Sequence, residues 1–306
     1  MRDTIYDVII IGGSYAGLSA ALQLARARRR VLIIDEGLRR NRSASHSHGF
    51  ITQDGVDPPH RSPGAGPGDG LCDGGLAGRS SRWRTAGQEP GAGKPTYRSD
   101  GWRLASRFAP ADPGSRRHRL LPEIEGLKER WGRHVFHCPY CHGYELNQGS
   151  IGVIAGSELS LHQALMLPDW GPTTLLLNQA FDPRADQLAA LAARGVAVER
   201  SLVKSIRGDA DVELADGRTL SFSGLFALAP FKTTTSLPQQ LGLDFDETPL
   251  GSIIRTDAMK ETSLAGVFAC GDAVRATASV ALAVADGNLA GVAAHRSLMS
   301  GGIAHG

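Results

Sequence analysis

The chain has 306 residues and 32.4 kDa, with 33 Lys+Arg against 31 Asp+Glu and a formal net charge of +2. That length allows two ordinary domains, and the even charge argues against a strongly basic nucleic-acid or anionic-membrane binder. Four cysteines (Cys72, Cys138, Cys141 and Cys270) are too few for a disulfide scaffold. Residues 4–11 lack the cationic, apolar and cleavage-site order of a leader, and no apolar run approaches the roughly 20 residues of a membrane helix. The expectation is a soluble, cytoplasmic protein with no nucleic-acid or membrane partner.

Val8 to Ile11 is an unbroken apolar run, as expected of a parallel strand buried on both faces. Gly12-Gly13-Ser14-Tyr15-Ala16-Gly17 follows, then an Ala- and Leu-rich stretch from Leu18 with a helical apolar stripe. A second apolar run, Val31 to Ile34, ends in Asp35. Strand, glycine turn, helix, strand and acid stand at the spacing of a dinucleotide-binding unit. Gly12 allows the tight turn, Gly17 lets the helix approach the strand, and the helix N-terminus offers N–H groups to a pyrophosphate. Asp35 can accept hydrogen bonds from ribose hydroxyls. Ser14 replaces the middle glycine, and its hydroxyl could donate a hydrogen bond there.

The next stretch breaks the pattern. Residues 57–119 hold 12 of the 38 Gly and 8 of the 16 Pro, with 11 Lys+Arg against 6 Asp+Glu. Large apolar residues are too sparse to offset the entropy of ordering so many residues, so disorder is expected. Two origins stay open: a natural disordered insertion, or a compensated frameshift. Gly68 to Gly75, shifted by one nucleotide, can encode Val-Met-Ala-Tyr-Ala-Thr-Val-Asp, which reads as a strand. Cys72, Trp83 and Trp102 therefore carry no functional expectation.

His137-Cys138-Pro139-Tyr140-Cys141-His142-Gly143 is the sharpest motif. Haem c attachment would require export, and the adjacent His-Cys and Cys-His pairs are poorly spaced for tetrahedral zinc. Two inert buried cysteines fit badly with the polar neighbours. A redox pair fits best, because two thiols two residues apart close a ring with little loop entropy. An imidazole can move the proton that accompanies thiolate attack, with His142 the first candidate and His137 the second.

Toward the C-terminus, Gly266-Val267-Phe268-Ala269-Cys270 reads as a strand ending at Gly271-Asp272, and Cys270 as a small buried residue. Ser279-Val280-Ala281 then opens an Ala-rich helix ending at His295-Arg296.

G-G-S-Y-A-G, C-P-Y-C-H-G-Y-E and V-F-A-C-G-D in this order resemble the low-molecular-weight thioredoxin reductase family, over residues 3–56 and 120–299. The resemblance implies an α/β fold of two Rossmann-like dinucleotide-binding domains. Residues 1–119 and 233–306 would form an FAD domain, and 120–232 an inserted NAD(P)-type domain carrying the CxxC. Pro122 and Thr233 to Ser236 would be the hinges. It also implies a homodimer, FAD as cofactor, Cys141 as the flavin-facing thiol and Cys138 as the thiol exchanging with substrate. Flavin contacts are implied at Gly12, Ser14, Tyr15, Ala16, Gly17, Asp35, Glu36, Gly271, Asp272, Ser279, Val280 and Ala281. His46 and His48, ahead of Phe50 to Gly55, align with a segment beside the flavin. The family's acid after the second cysteine is Asp; here it is His142.

The inserted domain departs from the family where NADPH should bind. After Ile151 to Ile154 the turn reads Ala155-Gly156-Ser157-Glu158-Leu159-Ser160, so a Cβ stands at both outer glycine positions. Glu158 is expected to compete for the helix N–H groups and repel phosphate. The following strand, Thr174 to Leu177, ends in Asn178-Gln179-Ala180, without an arginine for a 2′-phosphate. A strand over 195–198 and a hairpin turning at Asp216-Gly217 complete the unit.

These residues argue for oxidation of a small dithiol through a Cys138–Cys141 disulfide to the flavin, with oxygen as acceptor. That resembles the dithiol oxidases of the same superfamily. Two alternatives stand: NAD(P)H-dependent reduction of a small disulfide or a thioredoxin-like protein, and an inactive remnant with a damaged FAD domain.

Overall fold

A computed structural model describes residues 6–35, 46–55, 117–233 and 237–300. Glu36, Cys72, Trp83, Trp102, Thr234 to Ser236 and the anomalous residues 57–116 lie outside the described residues. The chain divides into two compact units. Described residues 6–35, 117–118 and 232–300 belong to the first, and 46–55 with 119–231 to the second. The loop 46–55, expected in the FAD domain, groups with the CxxC-bearing unit.

In the first unit, β1 (Val8–Ile11) and β2 (Val31–Ile34) are parallel, with Val8 opposite Val31 and Ile11 opposite Ile34. They are joined by α1 (Tyr15–Arg26). The expected two-sided burial of the first strand is not seen: Ile9 and Ile11 keep 36% and 37% of their surface. Among the described residues only one strand pairs with it. Later in the chain, β3 (Arg117–Arg119) pairs with β12 (Phe231–Thr233).

The second unit continues with α2 (Leu127–Arg130), β4 (Val135–Phe136), α3 (Pro139–His142), β5 (Ile151–Ile154), α4 (Ser160–Met166) and β6 (Thr173–Leu176). Then come α5 (Ala185–Ala193), β7 (Ala197–Glu199), β8 (Val203–Arg207), β9 (Asp211–Leu214), β10 (Thr219–Ser221) and β11 (Gly224–Ala227). A five-stranded parallel sheet runs β4-β11-β5-β6-β7, and β10-β9-β8 form an antiparallel meander. All four residues of β5 and of β11 are buried, as central parallel strands require. One core packs Phe136, Ile151, Val153, Leu161, Leu167, Leu175, Leu191 and Phe226 together, and another gathers Leu127, Val135, Ile154, Leu176, Ile206, Val212 and Leu225. The expected hairpin turns at Gly217, whose φ of +91° is open to glycine at little cost.

The chain returns to the first unit through α6 (Leu237–Gln240), the antiparallel pair β13 (Phe245–Thr248) and β14 (Gly251–Ile254), and α7 (Val280–Ser300). Residues 266–270 do not form the expected strand: only Phe268 makes a bridge, to Glu261, and a 3-10 turn follows over Gly271–Val274. The last helix runs to Ser300 rather than stopping at Arg296. No helix among the described residues is long and apolar enough to cross a membrane.

Candidate active site: a glycine cradle and a cysteine–histidine cluster

The glycine turn of the first unit is built as its sequence requires. Gly12 has φ +101° and donates its N–H to Ile34 O at 2.8 Å. Nothing lies within 4 Å of the place its Cβ would take, so the turn faces open space. A Cβ on Gly17 would run into the Gly12 carbonyl, so α1 seats directly on the turn. A Cβ on Gly13 would lie 3.0 Å from the side chain of Asp35, which closes the end of β2 against the turn. Ser14 is the N-cap of α1, in extended conformation, and its side chain makes no capping bond, so the leading N–H groups are left to other partners. Tyr15 and Ala16 begin that 12-residue helix.

The C-terminal part of the chain meets the same end of α1. Gly271 (φ +66°) lies so close that its Cβ would stand 2.8 Å from Ala16 Cβ, and Asp272 follows it in the chain. Gly287 and Gly291 of α7 sit against the backbone of Ala16 and Ala20, and Ser19 Oγ donates to Val284 O at 2.7 Å. Ser279 Oγ accepts the Leu282 N–H at 3.2 Å and caps α7, whose first residues are Val280 and Ala281. Bare backbone at the turn, an unplugged helix start and the Asp35 carboxylate fit a flavin dinucleotide: N–H groups for pyrophosphate and an acceptor for ribose.

Sequence reading missed the glycine seam of α7, although the four-residue spacing of Gly287 and Gly291 is a visible signal. It also missed Asp286, 2% exposed, which takes a bidentate pair from Arg275 (2.6 and 2.8 Å) and a second cation from Lys260 (3.1 Å). Burial would raise the Asp286 carboxyl, but the two cations outweigh it and hold the group below its ordinary range. Burial pushes the Cys270 thiol up to about 11, as suits an inert residue.

In the second unit, Pro139 starts the single turn of α3 and Cys138 is its N-cap. The turn is pinned at its end: Gly143 N–H bonds Pro139 O at 2.7 Å, and a Cβ on Gly143 would strike the Trp170 ring. The exposed Tyr140 ring packs edge-on to Trp170, centroids 5.3 Å apart. The Cys138 and Cys141 sulfurs are 2.8 Å apart, with the Cys141 thiol donating to Cys138. This bond, with the backbone N–H groups of Cys141 and Tyr140 and the Arg119 charge, outweighs burial and pulls the Cys138 thiol down to about 7.

His142 lies flat on Phe136, ring centroids 4.4 Å apart and 17° from parallel, with its Nδ1 buried and unpartnered. Burial first, and the neighbouring His48 second, depress it to about 4, so it is neutral at physiological pH. The His48 ring stands 6.1 Å from His142 and 6.1 Å from His46. His48 Nδ1 is 3.1 Å from Glu145 Oε1 and 3.9 Å from Asp54 Oδ1. Gly49 N–H bonds Asp54 Oδ1 at 2.7 Å and Gly55 N–H bonds Ser47 O at 3.0 Å, which folds the loop behind the ring. Glu145 had no role in the sequence reading, although it ends the C-P-Y-C-H-G-Y-E run. The carbonyl of His137 accepts from Gln163 Nε2 at 2.8 Å. No group of three or more potential metal ligands occurs among the described residues.

The turn after β5 does not fit a nicotinamide dinucleotide. Ala155 is fully buried, Gly156 N–H is taken by Ser160 Oγ (3.2 Å), and α4 is short and starts only at Ser160. Glu158 departs from expectation: the late start of α4 puts it outside the helix, and it reaches Arg184 (2.7 Å) and Gln187 (2.5 Å) across to α5 instead. The arginine beyond the next strand is thereby committed to a carboxylate. The β6 end runs through Asn178 and Gln179, both at positive φ, with Asn178 Oδ1 accepting the Val203 N–H at 3.1 Å.

A flavin cradle in one unit and a CxxC cysteine pair in the other define a flavin-dependent disulfide oxidoreductase. The chain belongs to the pyridine nucleotide-disulphide oxidoreductase family, whose model matches residues 113–287, and the FAD dependent oxidoreductase model matches 7–152. It is thioredoxin reductase-like and FAD-dependent. Among solved structures it is similar to an oxidoreductase from Agrobacterium tumefaciens, with 47% identity, TM-score 0.79, and coverage of 97% of this chain and 99% of that one. It is similar to HlmI with 26% identity, TM-score 0.75, and coverage of 98% and 94%. Thioredoxin reductase tcpT of Claviceps purpurea is 28% identical over 97% of this chain and 95% of that relative. Thioredoxin reductase sirT of Leptosphaeria maculans is 29% identical over 94% and 93%.

Proposed function

We propose that the protein oxidises a small dithiol through a Cys138–Cys141 disulfide, with oxygen as the final acceptor. The observation that carries this reading is the Cys138–Cys141 pair, whose sulfurs lie 2.8 Å apart at the start of α3. A substrate thiolate attacks Cys138 Sγ; the new S–S bond forms as the Cys138–Cys141 bond breaks. The second substrate thiolate then attacks the substrate sulfur held by Cys138, forming the product disulfide and releasing the Cys138 thiolate. A low thiol pKa makes Cys138 a good leaving group and stabilises the reduced pair, which favours taking electrons from substrate. His142, next to Cys141 and with no hydrogen-bond partner at Nδ1, is the group that takes the substrate's thiol proton in this reading. Gly12 to Gly17, Asp35, Gly271, Asp272 and the start of α7 would hold FAD, which would supply the two-electron acceptor for the cysteine pair.

The committed Glu158–Arg184 pair supports this direction over reduction by NADPH. The names of the curated relatives support the alternative, NAD(P)H-dependent disulfide reduction of the thioredoxin reductase kind. Oxygen uptake with dithiothreitol separates the two: the reading expects peroxide in a one-to-one ratio with oxidised dithiol and none from the Cys138→Ser variant. Dithiol-independent oxygen uptake, or turnover that survives Cys138→Ser, overturns it. A homodimer in the cytoplasm remains part of the proposal.

A further inference from the structure

We propose that Glu145, acting through His48, is a positioning residue for proton transfer at the cysteine pair: the Glu145-held imidazole receives the proton that His142 removes from a substrate thiol. This rests on the dithiol-oxidation reading above. The two histidines differ in a way that gives the transfer a direction. His142 has an aromatic ring against its face and no hydrogen-bond partner at its buried Nδ1. His48, 16% exposed, has the Glu145 carboxylate 3.1 Å and Asp54 3.9 Å from its Nδ1, so a proton on Nδ1 has its acceptors there and Nε2 is the nitrogen left to receive one. The rings are 6.1 Å apart and nearly perpendicular, at 76°. Asp54, 69% exposed, approaches the same Nδ1 as Glu145.

The other titratable groups around the cluster are His46 on the same loop, Cys138, Tyr140, Cys141 and Tyr144 on the segment following β4, His137 beside Phe136, and Arg119 acting on Cys138. In the first exchange, the substrate thiol loses its proton to His142 as its sulfur bonds to Cys138 and the Cys138–Cys141 bond breaks. Passing that proton to His48 leaves His142 neutral for the second substrate thiol. Two protons and two electrons leave the substrate. The electrons reside on the two cysteine sulfurs, and the protons on the histidines until Cys141 or solvent takes them.

The test compares oxygen-coupled turnover of dithiothreitol by flavin-loaded wild type, His48→Ala, Glu145→Gln and Cys138→Ser. The expected results are a fall of about 10²-fold in kcat for His48→Ala, restored by added imidazole, and a smaller fall for Glu145→Gln with KM unchanged. Glu145 is partly exposed, so its variant reports even where His48→Ala loses flavin. Wild-type turnover by His48→Ala, a loss that imidazole does not restore, or an unchanged kcat in Glu145→Gln overturns the relay. With Cys138→Ser inactive, such a result leaves dithiol oxidation standing; activity in Cys138→Ser removes that reading and the relay with it.

Discussion

Arg184 Nη1 and Glu158 Oε1 lie 2.7 Å apart across the turn that follows β5, and Gln187 bonds the same carboxylate oxygen. In a nucleotide-binding unit this region would present N–H groups and a free cation to phosphate. Here the guanidinium holds the carboxyl below its usual range and is itself occupied. Anaerobic addition of NADPH is therefore expected to leave the flavin oxidised in wild type. Glu158→Ala alone is expected to change neither this nor the melting temperature appreciably, because the pair is exposed and the turn remains closed by Ser160.

The Cys138 thiol offers a direct pH test. In the reduced protein its alkylation by iodoacetamide should rise with pH through about 7, the range in which the thiolate forms. Cys141→Ala removes the largest stabilising bond, so the midpoint should move upward and the rate at neutral pH should fall. Mass spectrometry of the labelled cysteine checks both.

Gly287 has no room for a side chain, since its Cβ would meet the Ala16 carbonyl. Gly287→Val should separate α7 from α1, at a cost of about 1–3 kcal/mol, and reduce flavin content. Gly195, with open space around its Cβ position, serves as a control on the other unit; Gly195→Asn should leave flavin content unchanged. Absorbance ratios and thermal melts distinguish the two.

Asp286 neutralises Arg275 and Lys260 in a buried setting. Asp286→Ala leaves two cations without their carboxylate and should destabilise the protein by about 3–5 kcal/mol. Because the folded carboxyl is held below its unfolded value, this contribution is present in full above the unfolded pKa. It is lost as pH falls through the folded one. Chemical denaturation at several acidic pH values should show the wild type converging on the variant.

The parts of this molecule legible in the sequence are those set by local pattern. Val8 to Ile11, Val31 to Ile34 and Ile151 to Ile154 are continuous apolar runs, and each forms a strand with the expected bounds. The glycine turn at Gly12 and the hairpin at Gly217 follow from backbone geometry that few other residues tolerate. Burial was harder to read, because exposure of Ile9 and Ile11 depends on which strands lie alongside. The apolar content of residues 266–270 predicts a strand, yet Phe268 alone bridges to Glu261. The pairing of His48 with Glu145 was invisible: nearly a hundred positions separate them, and neither side chain carries a periodic signal. Glu158 shows the same limit, since its partner is fixed by where α4 begins.

In the proposed reaction electrons enter from a dithiol by way of the cysteine pair. Its most direct test is anaerobic stopped-flow mixing of the flavin-loaded protein with dithiothreitol or with NADPH, read by the flavin's visible absorbance. Rapid bleaching by the dithiol is expected in wild type, none in Cys138→Ser, and none with NADPH in either. Rapid bleaching by NADPH, or bleaching by dithiol that is indifferent to Cys138→Ser, would contradict it.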